Sequence, residues 1–124
     1  MKEIVPECTK KFDLKTSDCA ILLMGDFNIN YKSSSYDQIF EIFPGVCDLH
    51  HNFCQEKKIK VTNTYGGNSY ALYEKQTIDF IFSFLHFNNF NLAQIQLLDF
   101  KVVGKDLEKP LSDHYGLSIK FNIE

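Results

Sequence analysis

Ala20-Ile21-Leu22-Leu23-Met24-Gly25-Asp26-Phe27-Asn28 sets the terms for the fold. A continuous apolar run ended by glycine predicts a β-strand buried on both faces, because a half-buried strand would alternate apolar with polar residues. The strand then ends by presenting a carboxylate and a carboxamide two residues apart, and side chains at that spacing point the same way. Asp26 and Asn28 are therefore expected at the lip of a site, with partners supplied by other segments of the chain.

Downstream of Asn28 the polar run reaches Ser33-Ser34-Ser35, whose hydroxyls suit a helix N-cap, and Tyr36, Ile39, Phe40 and Phe43 follow at i, i+3, i+4 and i+7. This predicts a short amphipathic helix stopped by Pro44-Gly45. Val46 to Lys60 is mixed in character, and Val61 to Tyr65 before Gly66-Gly67 predicts a short β segment running into a turn. A second strand is expected over Thr77 to Leu85, with Ile78, Phe80, Phe82 and Phe84 on one face and Asp79, Ile81, Ser83 and Leu85 on the other. Leu98 to Val103 and Leu117 to Ile123 alternate as later strands, separated by a polar loop at Lys105 to Pro110. Residues 1–18 show no apolar period and are expected to form a surface or truncated segment, leaving 19–124 as the folded part. The fold class is α/β (α+β), built in layers.

Composition bounds the function. The chain has 124 residues, 44% of them hydrophobic, which suits one globular domain with a modest core and excludes a disordered chain. Its net charge is −3 and all 13 basic residues are lysine. Without a basic patch or a guanidinium fork, sequence-specific nucleic acid is disfavoured as a partner. Cys8, Cys19, Cys47 and Cys54, in a chain with no secretory apolar core, are expected to be reduced thiols of an intracellular protein. No apolar run approaches the ~20 residues of a membrane span, so the chain is expected to be soluble or peripheral to a membrane.

Three places put polar groups in or beside apolar strands, where an unpartnered carboxylate is costly. They are Asp26 with Asn28, Asp79, and Ser112-Asp113-His114. Such a set suits metal-assisted hydrolysis of a phosphate ester: carboxylates hold a hard cation or take a proton from water, and an imidazole or amide donates to phosphoryl oxygens. Each place also has a plainer reading, as a turn, an edge-strand residue facing solvent, or a capped loop. Cys47, His50, His51 and Cys54 form a second cluster of zinc-ligand types, but four ligands within eight residues strain a tetrahedron and small buried thiols fit better. The run Phe82, Phe84, Leu85, Phe87 and Phe90 reads as core or as a packing face before it reads as a membrane-touching hairpin.

Gly25-Asp26-Phe27-Asn28, Ile78-Asp79-Phe80-Ile81 and Leu111-Ser112-Asp113-His114, in that order, resemble the three C-terminal motifs of the endonuclease/exonuclease/phosphatase (DNase I-like) superfamily. The resemblance implies the C-terminal part of a two-sheet β-sandwich flanked by helices. It implies that Asp26 positions the attacking water, that Asn28 and His114 contact the substrate phosphate, and that Asp79 orients His114. Asp113 would lie at a Mg²⁺ (or Mn²⁺) ion. Within the superfamily, Leu111 to His114 and the Asn63-Thr64-Tyr65 turn look most like the neutral sphingomyelinases, which implies a phosphodiester substrate, in that branch a phospholipid at a membrane surface. The N-terminal half of such a domain, with the Asn and Glu that complete its metal site, has no counterpart here, so it becomes an expected partner and little activity is expected from these residues alone. Thr77 stands where the family commonly has Arg. Two other readings stay open: a non-catalytic fragment or binding module, and a nuclease or soluble-phosphate phosphatase of the same fold.

Overall fold

Phe80 and Phe82 have no exposed surface, and the fold is layered around the strand that carries them. The computed structural model describes residues 7, 10–11, 15–87 and 90–124. After a 3-10 turn at Thr16–Asp18, the chain runs β1 (Leu22–Asp26), α1 (Ser34–Ile42), β2 (Val46–Asp48), α2 (Leu49–Lys57), β3 (Asp79–Phe84), β4 (His86–Phe87), β5 (Phe90–Asn91), β6 (Ile95–Val103) and β7 (Gly116–Ile123). The fold is mixed α/β, with a β1-β3-β2 sheet and two antiparallel ribbons, β4-β5 and β6-β7. In the sheet, β3 is the middle strand and is antiparallel to both neighbours.

The period-two pattern of β3 explains why both its faces are covered. Phe80, Phe82 and Phe84 join Tyr36, Val46, Phe87 and Leu92 in one cluster, with Ile39, Phe40 and Phe43 packed against it from α1 and the residue after it. Ile81 points the other way, to Leu49 and Phe100, among Phe53 from α2 and Leu97, Val102, Leu117 and Ile119 from the β6-β7 ribbon. Truncating Phe80 or Phe82 to Ala would open the first layer at a cost of about 3–5 kcal/mol. Helix α1 begins as its serines predict: Ser33 Oγ accepts from the Tyr36 N–H at 3.2 Å.

Three expectations need correction or completion. β1 is not buried on both faces: among the described residues it pairs only with β3, at the sheet's edge, and Met24 to Asp26 are exposed, Met24 at 56%. An apolar run cannot distinguish a central strand from an edge strand whose tip outruns the layers on either side. Val61 to Tyr65 is not a strand. Thr64 and Tyr65 donate their N–H groups to the same carbonyl, Gln76 O, at 2.9 and 3.0 Å, and Tyr65 makes single bridges to Gln76 and His114, so no ladder forms. The mixed stretch from Val46 holds β2 and all of α2, whose N-cap Asp48 accepts from the N–H groups of His50 and His51.

Phe82, Phe84 and Phe87 are buried and Phe90 is half-buried, so that run is core; Leu85 alone is exposed, at 51%. The expectation for residues 1–18 falls mostly outside the described residues, and so does Cys8. Cys19, Cys47 and Cys54 are free thiols. Among the described residues no helix is long and apolar enough to cross a membrane.

Candidate active site

The β1-β3 register sets Asp26 directly opposite Asp79. Two carboxylates facing each other across a strand pair repel, so the arrangement calls for a positive or donating group between them. His114 supplies it. Its Nδ1 lies 3.0 and 3.2 Å from the two oxygens of Asp79, and its Nε2 lies 3.7 Å from Asp26 Oδ2. Burial alone would lower this imidazole's pKa. The hydrogen bond and charge of Asp79, together with the charges of Asp26 and Asp113, outweigh burial and hold the imidazole above its usual value.

Backbone geometry fixes each member. Gly25, at φ +148°, carries the strand into Asp26 through a conformation L side chains rarely adopt. Asn28, at φ +52°, then turns the chain so that its own N–H donates to Asp26 Oδ1 at 2.8 Å. The Thr64 hydroxyl is wholly buried. It accepts from the Ile78 and Asp79 N–H groups at 3.1 Å and donates to Asp79 Oδ2 at 2.7 Å. The Tyr65 ring lies edge-on to the His114 ring at 5.0 Å. Asn68 donates to Ser112 O and the Tyr115 hydroxyl donates to Gly66 O, both at 2.9 Å, which ties the loop after Tyr65 to the loop that delivers His114.

Of the five residues singled out in the sequence, the structure therefore brings Asp26, Asp79 and His114 together, with one ligand atom of each lying within 4.8 Å of the others. Asn28 adjoins them through its backbone, and among the described residues its side chain has no hydrogen-bond partner. Asp113 lies outside that group; its carboxylate accepts from the Ser112 hydroxyl at 3.2 Å and reaches His114 by charge alone. Thr64 and Tyr65 are the residues the sequence reading missed as site components. The Asn63-Thr64-Tyr65 turn is visible in the sequence, but nothing there says that the threonine is buried against Asp79.

Cys47, His50, His51 and Cys54 do not converge. The His50 ring stacks on Phe100 and its Nε2 accepts from the Thr62 N–H, while His51 Nδ1 is hydrogen-bonded to the Tyr31 hydroxyl. Among the described residues, Asp26, Asp79 and His114 are the one group able to offer three metal ligands.

That donor set fits Mg²⁺ only in part. Mg²⁺ demands about six ligands, mostly oxygen, in octahedral geometry. Here Asp79 is committed to His114 and Thr64, which leaves Asp26, whose Oδ1 already accepts from the Asn28 N–H, as the less committed carboxylate of the group. A cation held here would take most of its ligands from water or from beyond these residues. Comparison with protein-family models, with curated proteins and with solved structures finds no match to this chain.

Proposed function

We propose that this chain is the C-terminal part of a DNase I-like phosphodiesterase domain, acting with Mg²⁺ or Mn²⁺ on a phosphodiester substrate. The observation that carries the reading is the meeting of Asp26, Asp79 and His114, one from each of three distant motifs, at the ends of β1, β3 and the segment before β7. Asp79 accepts from Nδ1–H and so leaves Nε2 to face the substrate. A protonated His114 donates from Nε2 to a phosphoryl oxygen as charge builds there. Asp26, at the exposed lip, orients the attacking water and receives its proton, and the Asn28 amide contacts the phosphate. A bound metal would supply charge neutralisation; Asp26 would hold it, joined by Asp113 if the motif resemblance extends to that residue.

A phospholipid at a membrane surface is the substrate class favoured by the exposed side chains of the loops beside the site. Tyr70, Leu72, Tyr73 and Leu111 are 58–87% exposed, on the two loops tied together beside His114. Exposed apolar and tyrosine side chains on two loops that are tied together suit a lipid interface. A non-catalytic module of the same fold is the second reading, favoured by the short donor set.

The test is hydrolysis of sphingomyelin, DNA and inositol phosphates with Mg²⁺. These residues alone are expected to turn over weakly, and what turnover there is should fall at least about 100-fold in His114→Ala and Asp26→Ala. Undiminished hydrolysis in either variant removes the assigned roles. No hydrolysis, with no Mn²⁺-induced broadening of NMR signals at Asp26 and Asp113, favours the non-catalytic module. Preference for DNA overturns the lipid reading.

A further inference from the structure

A second concavity shares no residue with the Asp26–Asp79–His114 group. It encloses about 430 Å³ between the loop after β1, α2 and the segment that follows α2, and its polar lining is Tyr31, Lys32, His51, Gln55 and Lys60. Every one of those side chains carries hydrogen-bond donors, and no carboxylate lines the pocket among the described residues. In a chain of net charge −3, this is a local reversal of sign.

The donors are organised. Burial first, and then the charge of Asp48, hold the Tyr31 phenol above its usual range, so it keeps its proton. Its hydrogen-bond partner is His51 Nδ1. Where the phenol donates to Nδ1, the ring's own proton lies on Nε2 and faces the pocket. Among the described residues His51 Nε2 has no hydrogen-bond partner, and it is not a buried atom, since the one buried side-chain polar atom without a partner there is His50 Nδ1. Lys32 is held at φ +62° with its ammonium 5.4 Å from the centre of the Tyr31 ring, so one wall presents a cation and the Tyr31–His51 pair side by side.

We propose that this pocket binds a small anion bearing a phosphate group. Two lysine point charges, an imidazole N–H and an amide match a centre with several acceptor oxygens better than a carboxylate with two. The volume exceeds that of phosphate itself, and Ile59 and Val61 add apolar wall, so the ligand is a phosphate ester with a small organic part. The site is independent of the phosphodiesterase reading.

Inorganic phosphate is the first probe, read by the ring-proton NMR signals of His51 with those of His114 as a control. The expected result is a saturable shift of the His51 signals in the millimolar range. It should be weakened at least about tenfold in Lys32→Ala/Lys60→Ala and unchanged in Asp26→Ala. Both lysines are exposed, so the double variant should fold, and its thermal melt checks that. A His51 signal that ignores phosphate, or that responds equally in the lysine variant, overturns the site. Vesicles of phosphatidylcholine with and without phosphatidic acid identify the source. Lysine-dependent retention on phosphatidic acid means a lipid head group; response to free phosphate without vesicle binding means a soluble ester.

Discussion

His50 and His114 lie in two regions of one small fold and are driven in opposite directions. His50, on α2, is 2% exposed, and its ring stacks on Phe100 at 4.5 Å. Burial, and then the charge of His51, take its pKa from 6.5 down to about 4. His114 is drawn down by burial as well, yet its carboxylate neighbours reverse the sign. A buried carboxylate is present in the His50 region too, but Asp48 spends its oxygens on the N–H groups of His50 and His51 and on the Tyr36 hydroxyl at 2.8 Å. A nearby carboxylate therefore raises a histidine's pKa only when its oxygens reach the ring. One Asp builds the fold, and the other builds a site.

The sharpest way to break the contrast is Asp48→Ala. The change removes an N-cap and strands the buried Tyr36 hydroxyl, whose pKa burial and Asp48 together push far above the usual phenol range. Burial also holds the Asp48 carboxyl above its usual value, which offsets part of what its hydrogen bonds contribute. The net loss should still be about 3 kcal/mol of unfolding free energy, measured by urea titration at pH 7. A loss under about 1 kcal/mol would mean that packing alone holds this region.

The next largest effect is acid sensitivity. Because His50 stays neutral in the fold down to about pH 4, the unfolded chain alone takes up this proton as pH falls below 6.5. Stability should therefore drop on acidification, by roughly 2 kcal/mol from this group between pH 6.5 and 5. His50→Phe keeps the stack on Phe100 and should flatten that slope, whatever it costs at neutral pH. An unchanged slope of urea midpoint against pH would assign the acid sensitivity to other groups.

The same contrast explains what could be read from sequence. Phe80, Phe82 and Phe84 advertise a strand because apolar periodicity is local, and Ser33 with Tyr36, Ile39 and Phe40 advertises a helix for the same reason. The charged members of the site were legible as polar residues out of place beside apolar strands. Helix α2 was not legible, because the residues it buries include His50 and Cys54, which carry no strong apolar signal. Thr64 was equally silent: its role lies in three hydrogen bonds to residues 14 and 15 positions away. The edge position of β1 depends on which strands pair with it, and no periodicity records that.

Asp79→Asn is the smallest change energetically and the most direct test of the site. It removes the first of the groups that raise His114, so the midpoint of the His114 ring signals in an NMR pH titration should move down, while the His50 signals stay where they are. The sign for stability is opposite to that of His50. A histidine raised in the fold contributes stability that is fully present below its unfolded value of 6.5 and is lost as pH rises through its folded value. The deficit of Asp79→Asn relative to the unaltered chain should therefore be greater at pH 6 than at pH 8, and the variant should weaken more steeply on acidification. His114 is partly exposed, so solvent screening keeps the deficit small. If the midpoint does not move, Asp26 and Asp113 set the charge on His114, and Asp79 serves only to place the ring.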